Sequence, residues 1–209
     1  MILLFIRTEK SIAEFRQSYP IVFSLVIINI ALWFLVYIVP FSFGKELFIW
    51  GAGHNYSINY YNEYWRFITP IFLHGGLTHT VFNSFALVIF GPGLERMLNK
   101  GNFISVYLLA GIIGNIGTYV VDPSSTITHI GASGSVYGLF GVYMFIIWRK
   151  NYLIDRANSQ IVMTIFFLGL VMTFIRPGIN ISAHVFGFLG GLLIAPLFLK
   201  NARPFYERW

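Results

Sequence analysis

The 209-residue chain is 56% hydrophobic and only 11% charged, against about 25% charged residues in an ordinary soluble domain, so it reads as an integral membrane protein. Cysteine is absent, which excludes disulfides, thiolate metal sites and a cysteine nucleophile. The net charge of +6 comes from basic residues dispersed between apolar runs, the pattern of a topology signal and not of a nucleic-acid surface.

Residues 1–19 carry Arg7, Lys10 and Arg16 with Glu9 and Glu14 and read as an amphipathic, cytoplasmic lead-in. The first spanning candidate is Pro20–Pro40, since about 20 apolar residues cross a bilayer core. Residues 41–66 are rich in rings, among them Phe41, Phe43, Trp50, Tyr60, Tyr61 and Trp65, and read as a loop lying in the membrane interface. The apolar run Ile68–Phe90 is interrupted by Pro70 and by His74-Gly75-Gly76. Its helix is therefore expected to start near Leu77, with 41–76 an outer loop and re-entrant segment. The third span is Asn102–Val121, with Gly111, Gly114 and Gly117 on one face; the fourth is Ala132–Trp148, the fifth Ile161–Ile175 and the sixth Ile181–Leu199. Residues 20–200 thus form a six-span core, and 201–209 a basic tail.

Six spans place both termini on one side. Lys45, Arg66 and Arg176 fall on the other side, and the remaining basic residues fall with the termini. Positive charge favours the cytoplasm, so the termini are expected there. The second, fourth and sixth spans then all run inward from the outer face. His79 and Asn83 lie four residues apart on one helix face of the second span, Ser133 opens the fourth, and His184 lies one turn into the sixth. Four costly polar groups at one depth suggest a site opening to the outer face.

A serine hydroxyl is a weak nucleophile until a base takes its proton, and neutral histidine suits that role. Ser133 and His184 fill both roles if their helices touch, and both helices carry small-residue faces: Gly134, Gly138 and Gly141 on one, Gly187, Gly190 and Gly191 on the other. Tyr137, four residues after Ser133, is placed to pack on His184. Asn83, the Ser133 N–H at a helix start and His79 are candidate oxyanion donors. No carboxylate lies in a span at this depth, and Asp122 reads as the end of the third helix. The pattern is a dyad, not a triad.

These residues resemble the rhomboid intramembrane serine proteases. Gly131-Ala132-Ser133-Gly134 is similar to that family's G-x-S-G motif, the run from His74 to Asn83 to its H-G-G-x-x-H-x-x-x-N motif, and Ala183-His184-Val185-Phe186-Gly187-Phe188-Leu189-Gly190-Gly191 to its A-H-x-x-G-x-x-x-G motif. Trp65-Arg66 is similar to the Trp-Arg pair of its first loop. The resemblance covers residues 20–200 and implies an all-α rhomboid-like bundle in the bilayer. It further implies Ser133 as nucleophile and His184 as base, His79, Asn83 and the Ser133 N–H as oxyanion site, and Tyr137 as the ring supporting His184. His74, Trp65, Arg66, Gly131, Gly134, Gly187 and Gly191 are its structural motif positions. Cleavage in or near transmembrane segments of protein substrates, with no metal or cofactor, is implied too. Long N-terminal domains and a seventh span are missing, which suggests a minimal form of bacterial cell-membrane type.

Rival readings attach to several of these residues. Ser135 is turned to a different helix face and reads as a packing residue. His54 and His129 read as solvated outer-loop residues, with His129 at a water entry. His74 reads as the partner holding the Gly75-Gly76 turn. A His74–His79–His184 metal site lacks carboxylates. The fifth helix, with bulky Phe166, Phe167 and Phe174, is a candidate lateral gate. The alternative function is a non-catalytic membrane-protein binding module or chaperone on the same fold, disfavoured by the intact Ser133 and His184. A transporter is disfavoured because no acidic residue lies mid-span.

Overall fold

The computed structural model describes residues 9, 11–39 and 41–204. Its elements are α-helices joined by short turns, with one two-residue strand pair among the described residues. Helix α1 (Ile12–Ser18) begins at Ser11, whose Oγ accepts the Glu14 N–H, and buries Phe15. Helix α2 (Pro20–Tyr37) starts on a proline, which supplies helical φ and lacks an N–H that would be orphaned there. Its next two amides, Ile21 and Val22, donate to the buried Glu95 carboxylate at 3.0 and 2.9 Å. A carboxylate 74 positions away thus acts as the cap of this helix.

The aromatic segment is helical where the sequence suggested a loop. It holds α3 (Phe41–Gly51) and α4 (Asn55–Tyr61), followed by 3₁₀ turns at Tyr64–Phe67 and Thr69–Phe72. Arg66 pins it. The guanidinium is buried, donates to Glu63 at 2.5 Å, and donates from one Nη to the carbonyls of Ile49 at 2.8 Å and Ala52 at 2.5 Å. Those carbonyls belong to the end of α3, where a cation meets the negative end of the helix. Trp65 stacks on Trp50 with centroids 5.2 Å apart and donates its indole N–H to the Trp50 carbonyl. The Trp-Arg pair therefore organises the first loop from within.

Helix α5 (Leu77–Leu98) starts at the expected residue but runs eight residues past Phe90, through Pro92. Helices α6 (Lys100–Val121), α7 (Ser133–Arg149), α8 (Arg156–Ile175) and α9 (Ile181–Phe198) complete the bundle. Helix α8 begins five residues earlier than the sequence suggested, because the Asp155 side chain accepts the Asn158 N–H and caps it. Five helices, α2, α5, α6, α8 and α9, are long and apolar enough to cross a membrane; α7 has 17 residues, fewer than the usual spanning length. It is also the most enclosed, with eleven of its residues buried.

Glycines set how closely these helices approach. Gly134 and Gly138 of α7 lie against Gly187 and Gly191 of α9, backbone on backbone, and Gly141 lies against the α9 backbone at Phe188. Gly114 and Gly117 of α6 face Ala183 and Phe186 of α9, while Gly190 faces Ile113 of α6. The six glycines assigned to two faces thus divide their work: Gly190 serves a third helix. The N-terminal ends of α5, α7 and α9 gather with the C-terminal end of α6 at one end of the bundle. Here the Asn180 side chain caps α9 through the Ala183 N–H and accepts the Thr118 hydroxyl of α6.

His129 is buried and not solvated, which corrects the sequence reading, while His54 is half-buried. Strand β1 (Gly53–His54) pairs with β2 (Thr128–His129), and this pairing draws both into a polar clasp. His129 is buried and its Nε2 lies 3.2 Å from the Asn55 Oδ1. The Asn55 amide donates to the carbonyls of Thr118 and Asp122 at the end of α6, so its oxygen faces His129 and the His129 Nε2 carries the proton. His54 bonds Ser57 and the Thr126 carbonyl. Burial, then the charge of His54, pushes the His129 imidazole down to about 4. Its unfolded value is the higher one, near 6.5. Between those values the unfolded chain binds more protons, so stability present at neutral pH is lost as pH falls from about 6.5 towards 4. The loss is on the order of 3 kcal/mol for a shift of this size. A thermal midpoint measured in detergent across that range should fall steeply for the parent and less steeply for His129→Gln; parallel slopes would contradict this assignment.

Candidate active site

Ser133 is the first residue of α7 and is half-buried. The loop before it is held from the re-entrant segment. Gly131 N–H donates to the Pro70 carbonyl at 2.9 Å, and Ala132 N–H points to His74 Nε2 at 3.5 Å. Gly131 has φ of 127°, a conformation open mainly to glycine. A β-carbon there would strike the His79 ring, 2.8 Å from Nε2. The Ala132 cap offers no side chain to the first amides of α7, so among the described residues the Ser133 N–H is a helix-start donor without a partner.

His79 lies on the first turn of α5 with its Nδ1 accepting the Gly75 N–H at 3.2 Å. Its proton is therefore on Nε2, the atom turned to Gly131, and the same position at Gly131 lies 3.7 Å from the Ser133 Oγ. The roles of His74 and His79 differ from the sequence reading. His79, not His74, holds the Gly75-Gly76 turn, while His74 is buried 5.1 Å from the His79 ring and reaches across to Ala132. Burial and the neighbouring His79 push the His74 imidazole down to about 4, so it stays neutral. Asn83 donates one amide N–H to the His79 carbonyl at 3.0 Å and retains a second.

The crossing of α7 and α9 packs the backbone next to Ser133 against the backbone next to His184. Gly134 beside Ser133 touches Ala183 beside His184. One turn deeper, Tyr137 stacks on the His184 ring with centroids 4.1 Å apart and planes inclined by 15°. His184 is buried, and among the described residues its ring is hydrogen-bonded only to Thr173, through Nδ1 at 2.9 Å. Among the described residues neither His184 Nε2 nor the Ser133 hydroxyl has a hydrogen-bond partner. Thr173 is the residue that sequence reasoning missed. It sits on α8 in an apolar run with no motif around it, and only the packing of α8 against α7 and α9 brings it to the site.

Ser135, the rival serine, is fully buried and turned away, with its Oγ against Gly111 of α6. Asp122 bonds Ser124 and ends α6, as the sequence suggested. Among the described residues no cluster of three metal-ligating side chains occurs.

The arrangement is that of an all-helical membrane protein with a serine, two histidines and an amide gathered at one end of its bundle. Residues 61–201 match the family model of the Rhomboid domain. The chain is 41% identical over 206 residues to YdcA of Bacillus subtilis (strain 168), a protein named as a candidate rhomboid protease, covering 97% of this chain and 100% of YdcA. It is 32% identical over 205 residues to the rhomboid protease GluP of the same organism, covering 97% of this chain but 39% of GluP. It is also 28% identical over 144 residues to the human protein named Inactive rhomboid protein 2, covering 66% of this chain and 16% of that protein. The chain belongs to the rhomboid family, and is an integral membrane protein. Its named relatives include both proteases and an inactive member.

Proposed function

We propose that this protein is an intramembrane serine endopeptidase that cleaves transmembrane segments of other membrane proteins through a Ser133–His184 dyad. The observation that supports the reading is the α7–α9 crossing, which packs Gly134, next to Ser133, against Ala183, next to His184, and stacks His184 on the Tyr137 ring. In the proposed reaction His184 Nε2 takes the Ser133 proton as Oγ attacks the peptide carbonyl. The Ser133 N–H, the His79 Nε2–H and the second Asn83 N–H face the oxyanion. His184 then returns the proton to the leaving amine, and water releases the acyl group by the same path. The role needs no metal or cofactor.

Residues 20–200 form the catalytic core in this reading, with α7 as the fourth of six spans, flanked by a cytoplasmic lead-in and tail. The termini lie in the cytoplasm and the site opens outward, as the distribution of basic residues supports. The test is reconstitution in liposomes with a fluorescently tagged single-span polypeptide. Cleavage by the parent and none by Ser133→Ala is expected. Binding of the polypeptide without cleavage, by folded parent protein, would favour the binding-module reading instead.

A further inference from the structure

Thr173 Oγ1 stands at the centre of three contacts. It lies 2.9 Å from the Gly169 carbonyl, 2.7 Å from the Tyr137 hydroxyl and 2.9 Å from His184 Nδ1, and the residue is 1% exposed. A hydroxyl has one proton to give and two lone pairs to receive. If it gave that proton to His184, its oxygen would face the Gly169 carbonyl oxygen at 2.9 Å with no hydrogen between them. All three contacts are hydrogen bonds only when Thr173 donates to Gly169 and accepts from both Tyr137 O–H and His184 Nδ1–H. The neutral imidazole then carries its proton on Nδ1, and Nε2 is the bare nitrogen.

We propose that Thr173 is a positioning residue that fixes the tautomer and orientation of His184, so that helix α8 supplies the third member of a Ser133–His184–Thr173 relay. This deepens the protease reading and rests on it for its catalytic consequence. An uncharged hydroxyl does here the orienting work that a carboxylate does in many serine enzymes. It suits a buried site, because no second charge has to be desolvated. Because Thr173 is on α8, that helix cannot move away from α7 and α9 without releasing the base.

Two measurements test this. With a fluorophosphonate probe, the isosteric Thr173→Val should lower kinact about 10- to 100-fold with KI unchanged, as when the outer partner of a functional histidine is removed. Thr173→Ser, which keeps the hydroxyl, should restore most of it. A Val variant as fast as the parent, or a Ser variant as slow as Val at an unchanged thermal midpoint, would overturn the assignment. The second measurement does not need activity. In ¹⁵N-histidine-labelled protein, with His184 assigned through His184→Gln, the parent should show a protonated Nδ1 and a bare Nε2, and Thr173→Val should lose that preference. A parent with its proton on Nε2, or a Val variant unchanged in tautomer, would overturn the proposal even if the protein reacts with no probe.

Discussion

His184→Gln should slow fluorophosphonate labelling of Ser133 by about 10²- to 10⁴-fold, the usual contribution of a general base. Glutamine is the informative choice. It keeps a polar group near Thr173 and a planar surface under Tyr137, so the cavity left by alanine does not confuse the result. The rate is read from time courses of labelling, and the fold from the thermal midpoint. Loss of labelling with a near-parental midpoint is expected. Parental labelling would show that Ser133 is activated by another group, and His79, which turns Nε2 to Gly131, would be the one to examine.

Gly187→Ala should damage both stability and labelling. A β-carbon at Gly187 would lie 2.9 Å from the Gly134 carbonyl carbon and 3.1 Å from its Cα. Those atoms are backbone, so no rotamer change relieves the clash and the two helices must separate. Overpacking of this kind costs about 1–3 kcal/mol, which for a chain of this size lowers the midpoint by about 5 °C. Separation at this level also parts Ser133 from His184, so labelling should fall more than stability alone explains. Gly101→Ala is the control. Its nearest neighbour would be the Asn99 Oδ1 at 3.7 Å, an ordinary contact, and alanine favours a helix. A Gly187→Ala protein as stable and as reactive as the parent would contradict the close-packing account.

The parts of this fold visible in the sequence are those set by local periodicity and small residues. The start of α5 at Leu77, the end of α6 before Asp122 and the start of α7 at Ser133 follow from breakers and from the length of chain that crosses a bilayer. The depth shared by His79, Asn83, Ser133 and His184 follows from alternating helix direction alone. Residues whose partners lie far along the chain were not visible. Glu95 caps a helix 74 positions away, and Arg66 serves the carbonyls of a helix that the ring-rich composition disguised as a loop. His129 read as solvated because a two-residue strand pair carries too little pattern to foresee, yet that pairing buries it beside Asn55. Thr173 lies in an apolar run with no motif around it. A hydroxyl that bonds its own helix is unremarkable in a membrane span, and only the convergence of Tyr137 and His184 gives it a part in the site.

In the proposed reaction Ser133 is an activated nucleophile. Detergent-solubilised parent, Ser133→Ala and Ser135→Ala proteins, each shown to be folded by thermal unfolding, would be treated with a fluorophosphonate probe and the adduct located by peptide mass. The account predicts labelling of parent and Ser135→Ala at Ser133, and none of Ser133→Ala. An adduct at Ser135, labelling that survives Ser133→Ala, or a folded parent that never reacts would contradict it.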